Sequence, residues 1–166
     1  MVLLLSRSQI SAMEAHAERV YPEECCGLIV GNLTASDDEP LKSVVEIVSL
    51  TNEWTPDKSN VDRPEHTTKQ RRYWIDPKDM LRVQKAARDE GLSIIGIYHS
   101  HPDKAAVPSE CDRAQAWPAY AYVIVSVCKG KAVDIQNWAL DFERQFQSET
   151  MRISPSAARD RMPVSA

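Results

Sequence analysis

No run in this chain is long enough to cross a bilayer. Its strongly apolar stretches, such as Val2–Leu5 and residues 120–128, fall far short of the roughly 20 residues a spanning helix needs. It has no excess of positive charge. Twenty Lys and Arg against 24 Asp and Glu leave a formal charge of −4 and a pI near 5.6, which argues against a broad electrostatic grip on nucleic acid or anionic lipid. No basic segment precedes Val2–Leu5, so the start does not read as a secretory leader and a cytoplasmic location is expected. No C-x-x-C joins the four cysteines: Cys25 and Cys26 are neighbours, and Cys111 and Cys128 lie far away. That excludes a thiolate zinc knuckle and a thioredoxin-type redox pair, and leaves reduced, mostly buried thiols as the expectation. No internal repeat is visible.

What is present is an ordinary globular composition. The chain is 43% apolar and 27% charged over 166 residues, the size of one domain able to bury about 70% of its unfolded surface. Ser6 or Ser8 caps a helix to about Arg19, with Ile10, Met13, Ala17 and Val20 on one face and Tyr21-Pro22 ending it. Residues 25–33 and 41–51 read as strands. Residues 52–70 are charged, aperiodic and hold Pro56 and Pro64, the pattern of a surface insertion. Residues 71–75 read as a short strand. Asp76-Pro77 opens a helix that Gly91 closes. Residues 92–98 are almost continuously apolar, as in a strand covered on both faces. A short helix begins at Ser109, and residues 120–128 and 132–140 form a hairpin across Lys129-Gly130-Lys131. Residues 141–153 read as a last strand or an amphipathic extension. The expected architecture is α/β, a mixed central sheet flanked by helices. The expected domain is residues 1–153, with 154–166 a frayed tail.

The chemistry concentrates at His99-Ser100-His101, followed after ten residues by Asp112. Side chains two apart on a strand share a face, so the two imidazoles can meet at one cation, and the following loop and helix can return the aspartate. Three nitrogen and oxygen ligands leave one tetrahedral position for water, the pattern of a catalytic zinc site rather than a closed structural one. Zinc would bring the pKa of that water toward about 7 and polarise a carbonyl. Glu24, outside the ligand set, is the candidate base. Ser109, three residues before Asp112, is a candidate donor to an oxyanion and equally a helix cap. An isolated H-x-H usually means nothing, and Asp112 or Glu24 alone would read as surface acids; the combination carries the argument. Asp103 reads as a solvated loop residue. His16 and His66 lack spacing partners and are expected to be exposed. Trp117 is expected in the core, and Trp54 lies at the edge of the insertion.

Taken together, His99-Ser100-His101-Pro102, Ser109-x-x-Asp112 and the upstream Glu24-x-Cys26-Gly27 resemble the JAMM (MPN-plus) zinc metallopeptidases. The segments PEECCGLIVG (22–31), IDPKDML (75–81), IIGIYHSHP (94–102) and AQAWPAYAYVIVSV (114–127) resemble its compact prokaryotic branch, and the likeness covers roughly residues 3–140. That branch includes peptidases acting on ubiquitin-like sulfur-carrier proteins, such as the CysO–cysteine peptidases. The resemblance implies one Zn²⁺ held by His99, His101 and Asp112, Glu24 as general acid/base, and Ser109 stabilising the tetrahedral intermediate. It also implies a cytidine deaminase-like fold and hydrolysis of an amide or isopeptide bond after the C-terminal Gly-Gly of a ubiquitin-like or sulfur-carrier partner. Residues 52–70 are longer than the compact pattern, which leaves room for a role in partner binding, gating or a homodimer contact. The competing reading is a non-catalytic MPN-type scaffold, against which the complete ligand set speaks. A nucleobase deaminase would pair His-x-Glu with Pro-Cys-x-x-Cys, and no Pro-Cys-x-x-Cys occurs. A DNA-repair-linked relative of the same motif type finds no support in the acidic balance.

Overall fold

The computed structural model describes residues 1–35, 39–58, 68–154 and 164–165. In chain order these form β1 (Val2–Leu5), α1 (Arg7–Val20), β2 (Cys26–Thr34), β3 (Leu41–Leu50), a 3-10 turn (Pro56–Lys58) and α2 (Pro77–Asp89). There follow β4 (Ser93–Pro102), α3 (Glu110–Gln115), β5 (Ala121–Cys128), β6 (Lys131–Leu140), β7 (Phe146–Ser148), β8 (Thr150–Ile153) and β9 (Val164–Ser165). The strands make one mixed sheet in the order β7-β6-β5-β4-β2-β3-β1-β8, with β9 beside β3. β4 runs parallel to β5, and β1 parallel to β3 and β8; β2 is antiparallel to both of its neighbours. The expected mixed sheet flanked by helices is what the chain forms.

Each face of the sheet buries one cluster. Leu3, Leu5, Met13, Ile29, Tyr98 and Val123 pack on the side of α1, and Leu28, Val30, Leu50, Val83, Ile97 and Tyr122 on the side of α2. The division follows from the two-residue period of β2 and β4: Ile29 and Tyr98 face one cluster, Leu28 and Ile97 the other. The two ends of the sheet meet at Glu149, between β7 and β8. Its amide donates to the Asn137 carbonyl of β6 at 2.9 Å, and its carboxylate accepts from Lys42 of β3 at 3.3 Å and from Asn137 Nδ2 at 2.9 Å.

The helix starts are encoded locally. Ser6 and Gln9 form a reciprocal capping box at α1, and Asp76 caps α2 with Pro77 at its first position. Gly27 is needed for packing, since a Cβ there would lie 2.2 Å from the Tyr98 ring. Residues 71–75 form no strand and lie outside the sheet, contrary to expectation. Their backbone groups are satisfied elsewhere: the Arg72 carbonyl and Trp74 amide bond the Asn52 side chain, and the Trp74 carbonyl accepts from the Glu53 amide. The expected last strand is two short ones, β7 and β8. Much of the insertion (59–67) and of the tail (155–163 and 166) lies outside the described residues, whereas Val164 and Ser165 pair with β3. No described helix is long and apolar enough to cross a membrane.

Candidate active site

β4 supplies the centre of the site. His99 and His101 project from one face of this central strand, where both are buried. Ser100, between them, points the other way. Its hydroxyl accepts from the Cys25 amide at 2.8 Å and its own amide donates to the Cys25 carbonyl at 3.2 Å, fixing the residue next to Glu24. The chain then leaves β4 in a loop held at three successive carbonyls. Ser126 Oγ donates to Lys104, His101 Nδ1 to Ala105 and Trp138 Nε1 to Ala106, at 2.6, 2.9 and 3.0 Å. This loop delivers Ser109, the N-cap of α3, and with it Asp112.

The donor atoms converge. Nε2 of His99 and Nε2 of His101 lie 3.1 Å apart, and they approach the two Asp112 oxygens at 3.2 and 3.4 Å. A tetrahedron with metal–ligand distances near 2.05 Å has edges of about 3.3 Å; the two imidazole nitrogens are close to that spacing, and with one Asp112 oxygen near each, the three groups surround a point where a small divalent ion can sit. The His101 tautomer agrees: the Ala105 carbonyl only accepts, so Nδ1 carries the proton and Nε2 offers its lone pair. His99 Nδ1 has no hydrogen-bond partner among the described residues. Its ring is held instead by Tyr73, stacked at 4.6 Å between centroids and 25° between planes. These three residues form a His–His–Asp group able to hold a metal.

The charges are set by burial and by one another. Burial would raise the Asp112 pKa, but His99, His101 and Ser109 outweigh it and hold the carboxyl well below the usual range. Burial would lower His99, and Asp112 reverses the sign. Glu24 is buried, and desolvation lifts its pKa to about 7 against the pull of His99 and His101, the range suited to a base at neutral pH. Glu24 shares a cavity of about 220 Å³ with His101 and Ser109, rimmed by Arg71, Arg72 and Lys104. Cys25 and Cys26 are buried thiols whose pKa values burial raises, Cys25 to about 12, so neither is a nucleophile.

All five sequence-derived candidates therefore meet in one place. Ser109 does so as a cap: its Oγ donates to Asp112 Oδ2 at 2.6 Å and accepts from the Asp112 amide at 3.2 Å. Asp103 is outside the cluster, accepting from the Tyr21 hydroxyl and the Lys129 amide. His16 is buried rather than exposed, at 6% accessibility, because its Nδ1 pairs with the Tyr98 hydroxyl at 2.8 Å. Trp117 is 68% exposed rather than in the core, whereas Trp54 is buried. Tyr73 and Asn52 were missed. Asn52 donates to the carbonyls of Glu24 and Arg72 and accepts from the amides of Trp54 and Trp74, all at 2.9–3.1 Å. It thus ties both stems of the insertion to the main chain of Glu24, and nothing in its sequence context marks it.

Residues 6–141 match the family described as "Prokaryotic homologs of the JAB domain". The chain belongs to this family. It is 32% identical over 124 residues to the "Probable TtuB-protein conjugate cleaving protease" of Thermus thermophilus, covering 75% of this chain and 70% of that one. It is 31% identical over 126 residues to the "CysO-cysteine peptidase" of Mycobacterium tuberculosis, covering 75% and 73%. A shorter match to the "Desampylase" of Haloferax volcanii is 42% identical over 55 residues and spans 32% of this chain and 40% of the relative. A solution structure from Desulfitobacterium hafniense superposes with a TM-score of 0.69 at 27% identity, covering 93% and 94% of the two chains. A JAB1/MPN domain protein from Archaeoglobus fulgidus superposes at 0.50 with 15% identity over 92% and 96%, a likeness of fold. This JAB-domain chain is thus a JAMM-type peptidase by family, as the motifs suggested.

Proposed function

We propose that this JAB-domain chain hydrolyses the amide or isopeptide bond that follows the C-terminal Gly-Gly of a ubiquitin-like or sulfur-carrier protein in the cytoplasm, with zinc as its metal. The observation that carries the reading is the convergence of His99 Nε2, His101 Nε2 and the Asp112 carboxylate, with contacts of 3.1–3.4 Å among them, beside a buried Glu24 that is not one of the three. Zinc held by these residues supplies Lewis acidity at the scissile carbonyl.

The protein's own groups do the rest. Glu24 takes the proton of the attacking water and returns it to the leaving amine, a task matched to a carboxyl lifted to about 7. The cavity of about 220 Å³ is small, which suits glycines because they bring no side chains. Ser109 lines the same cavity. Its single hydroxyl proton is given to Asp112, so it positions that carboxylate and turns to an oxyanion only by releasing it.

The test is hydrolysis of a ubiquitin-like protein ending in Gly-Gly and fused through an amide to a reporter amine. The zinc-loaded wild-type chain should release the amine, and Glu24→Gln should lose about 10²- to 10⁴-fold. Near-normal turnover by Glu24→Gln, or no turnover by the wild type on any Gly-Gly-ended carrier, overturns the reading.

A further inference from the structure

A second cavity, of about 320 Å³, opens on the α1 side of the sheet, at the lower end of the range for small-molecule sites. His16 and Cys25 line it, and both belong to the face of α1 and Tyr98, away from the His99–His101–Asp112 cluster. Its other walls carry charges of both signs: Arg19 and Lys69 are cationic and Glu23 is anionic. None of the ion pairs among the described residues involves these three. Ser49 and Thr51 add hydroxyls, and Val20 and Leu50 an apolar wall. A site with two cations, one anion, two hydroxyls and a small apolar patch complements a compact zwitterion.

The cavity is also wired to Glu24. Glu23 and Cys25 flank that residue in the chain, and its main chain is held by two more lining residues. The Glu24 amide donates to the Lys69 carbonyl at 2.7 Å, and the Glu24 carbonyl accepts from Asn52 Nδ2 at 3.0 Å. A ligand that orders these residues orders the backbone carrying the candidate base.

We propose that this cavity binds a free α-amino acid, with its carboxylate at Arg19 and Lys69 and its ammonium at Glu23, and that occupancy fixes the position of Glu24. The binding is independent of the peptidase reading; only its effect on turnover rests on it. By linkage, an amino acid that steadies Glu24 for substrate is itself held more tightly when substrate is bound.

The experiment titrates ¹⁵N-labelled full chain with each common α-amino acid, and then with the amide and the N-acetyl derivative of the tightest binder. Expected are saturable shifts of the Glu24 and Cys25 amides, and affinity lower by about tenfold or more for each derivative that lacks one charge. Arg19→Gln and Glu23→Gln should weaken binding similarly, Arg19→Lys should restore part of it, and Lys104→Gln, in the other cavity, should leave it unchanged. Three results overturn the proposal: no saturable binding up to the order of 10 mM, binding lost in Lys104→Gln but kept in Arg19→Gln, or binding that leaves both amides in place.

Discussion

Asn52→Ala removes four hydrogen bonds from a side chain that is 5% exposed. Two of the groups left behind are amides, of Trp54 and Trp74, and two are carbonyls, of Glu24 and Arg72. An unsatisfied buried group costs about 1–3 kcal/mol. Arg72 and Trp74 are only partly buried, so water can reach some of the vacated partners, and a total loss of about 2–4 kcal/mol is expected. The effect on chemistry is separate. The Glu24 carbonyl loses its tether to the stems of the insertion, and a shift of about 1 Å in a catalytic group can lower a rate 10²-fold. Asn52→Asp divides the two halves, because a carboxylate still accepts from Trp54 and Trp74 but cannot donate to Glu24. Guanidinium denaturation at equilibrium should place Asn52→Asp between the wild type and Asn52→Ala in stability, while both variants lose at least tenfold in kcat. Zinc affinity should not move, since Asn52 touches none of His99, His101 and Asp112. A stability change within about 0.5 kcal/mol together with full activity would refute this account of the residue.

Three further outcomes follow from the electrostatics and the cap. With Glu24 lifted to about 7, and a bound cation pulling it only lower, kcat/KM should fall tenfold per pH unit on the acid side of an apparent pKa no higher than about 7; a limb above 8, or one that persists in Glu24→Gln, would contradict the assignment. Burial, and then Arg19, lower the His16 pKa to about 4, so the unfolded chain binds the extra proton between its ordinary value and 4. Stability should therefore be complete above pH 6.5 and decline as pH falls toward 4, by about 1–3 kcal/mol, and denaturation of His16→Gln should show a flatter dependence; identical slopes would remove His16 as the source. Ser109→Ala should lower zinc affinity by about 10- to 100-fold through the loosened Asp112, whereas a fall in kcat with zinc affinity intact would give Ser109 the oxyanion role instead.

The parts of the site legible in the sequence are those set by local geometry. His99 and His101 share a face because a strand alternates, and Ser109 caps the turn that presents Asp112 because both lie within one helical start. The same holds for the ends of α1 and α2, each written in a Ser–Gln or Asp–Pro pair. What escaped depends on contacts across the chain. His16 looked solitary, and only the fold brings the Tyr98 hydroxyl, 82 residues away, to its ring. Residues 71–75 have the composition of a strand, but Asn52 takes up the backbone groups that a neighbouring strand would have bonded. Tyr73 reads as one more apolar residue until β4 sets His99 beneath it. Trp117 looked like core, yet its indole is outside while its backbone amide is held by Tyr122.

The most direct measurement is the zinc content and affinity of four purified chains near pH 7.5: wild type, Glu24→Gln, His101→Ala and Asp112→Ala. One tightly held zinc per chain is expected in the first two, with affinity reduced by roughly 10²-fold or more in the last two. Full zinc occupancy in His101→Ala and Asp112→Ala, or its loss in Glu24→Gln, would contradict a centre built from His99, His101 and Asp112 with Glu24 outside it.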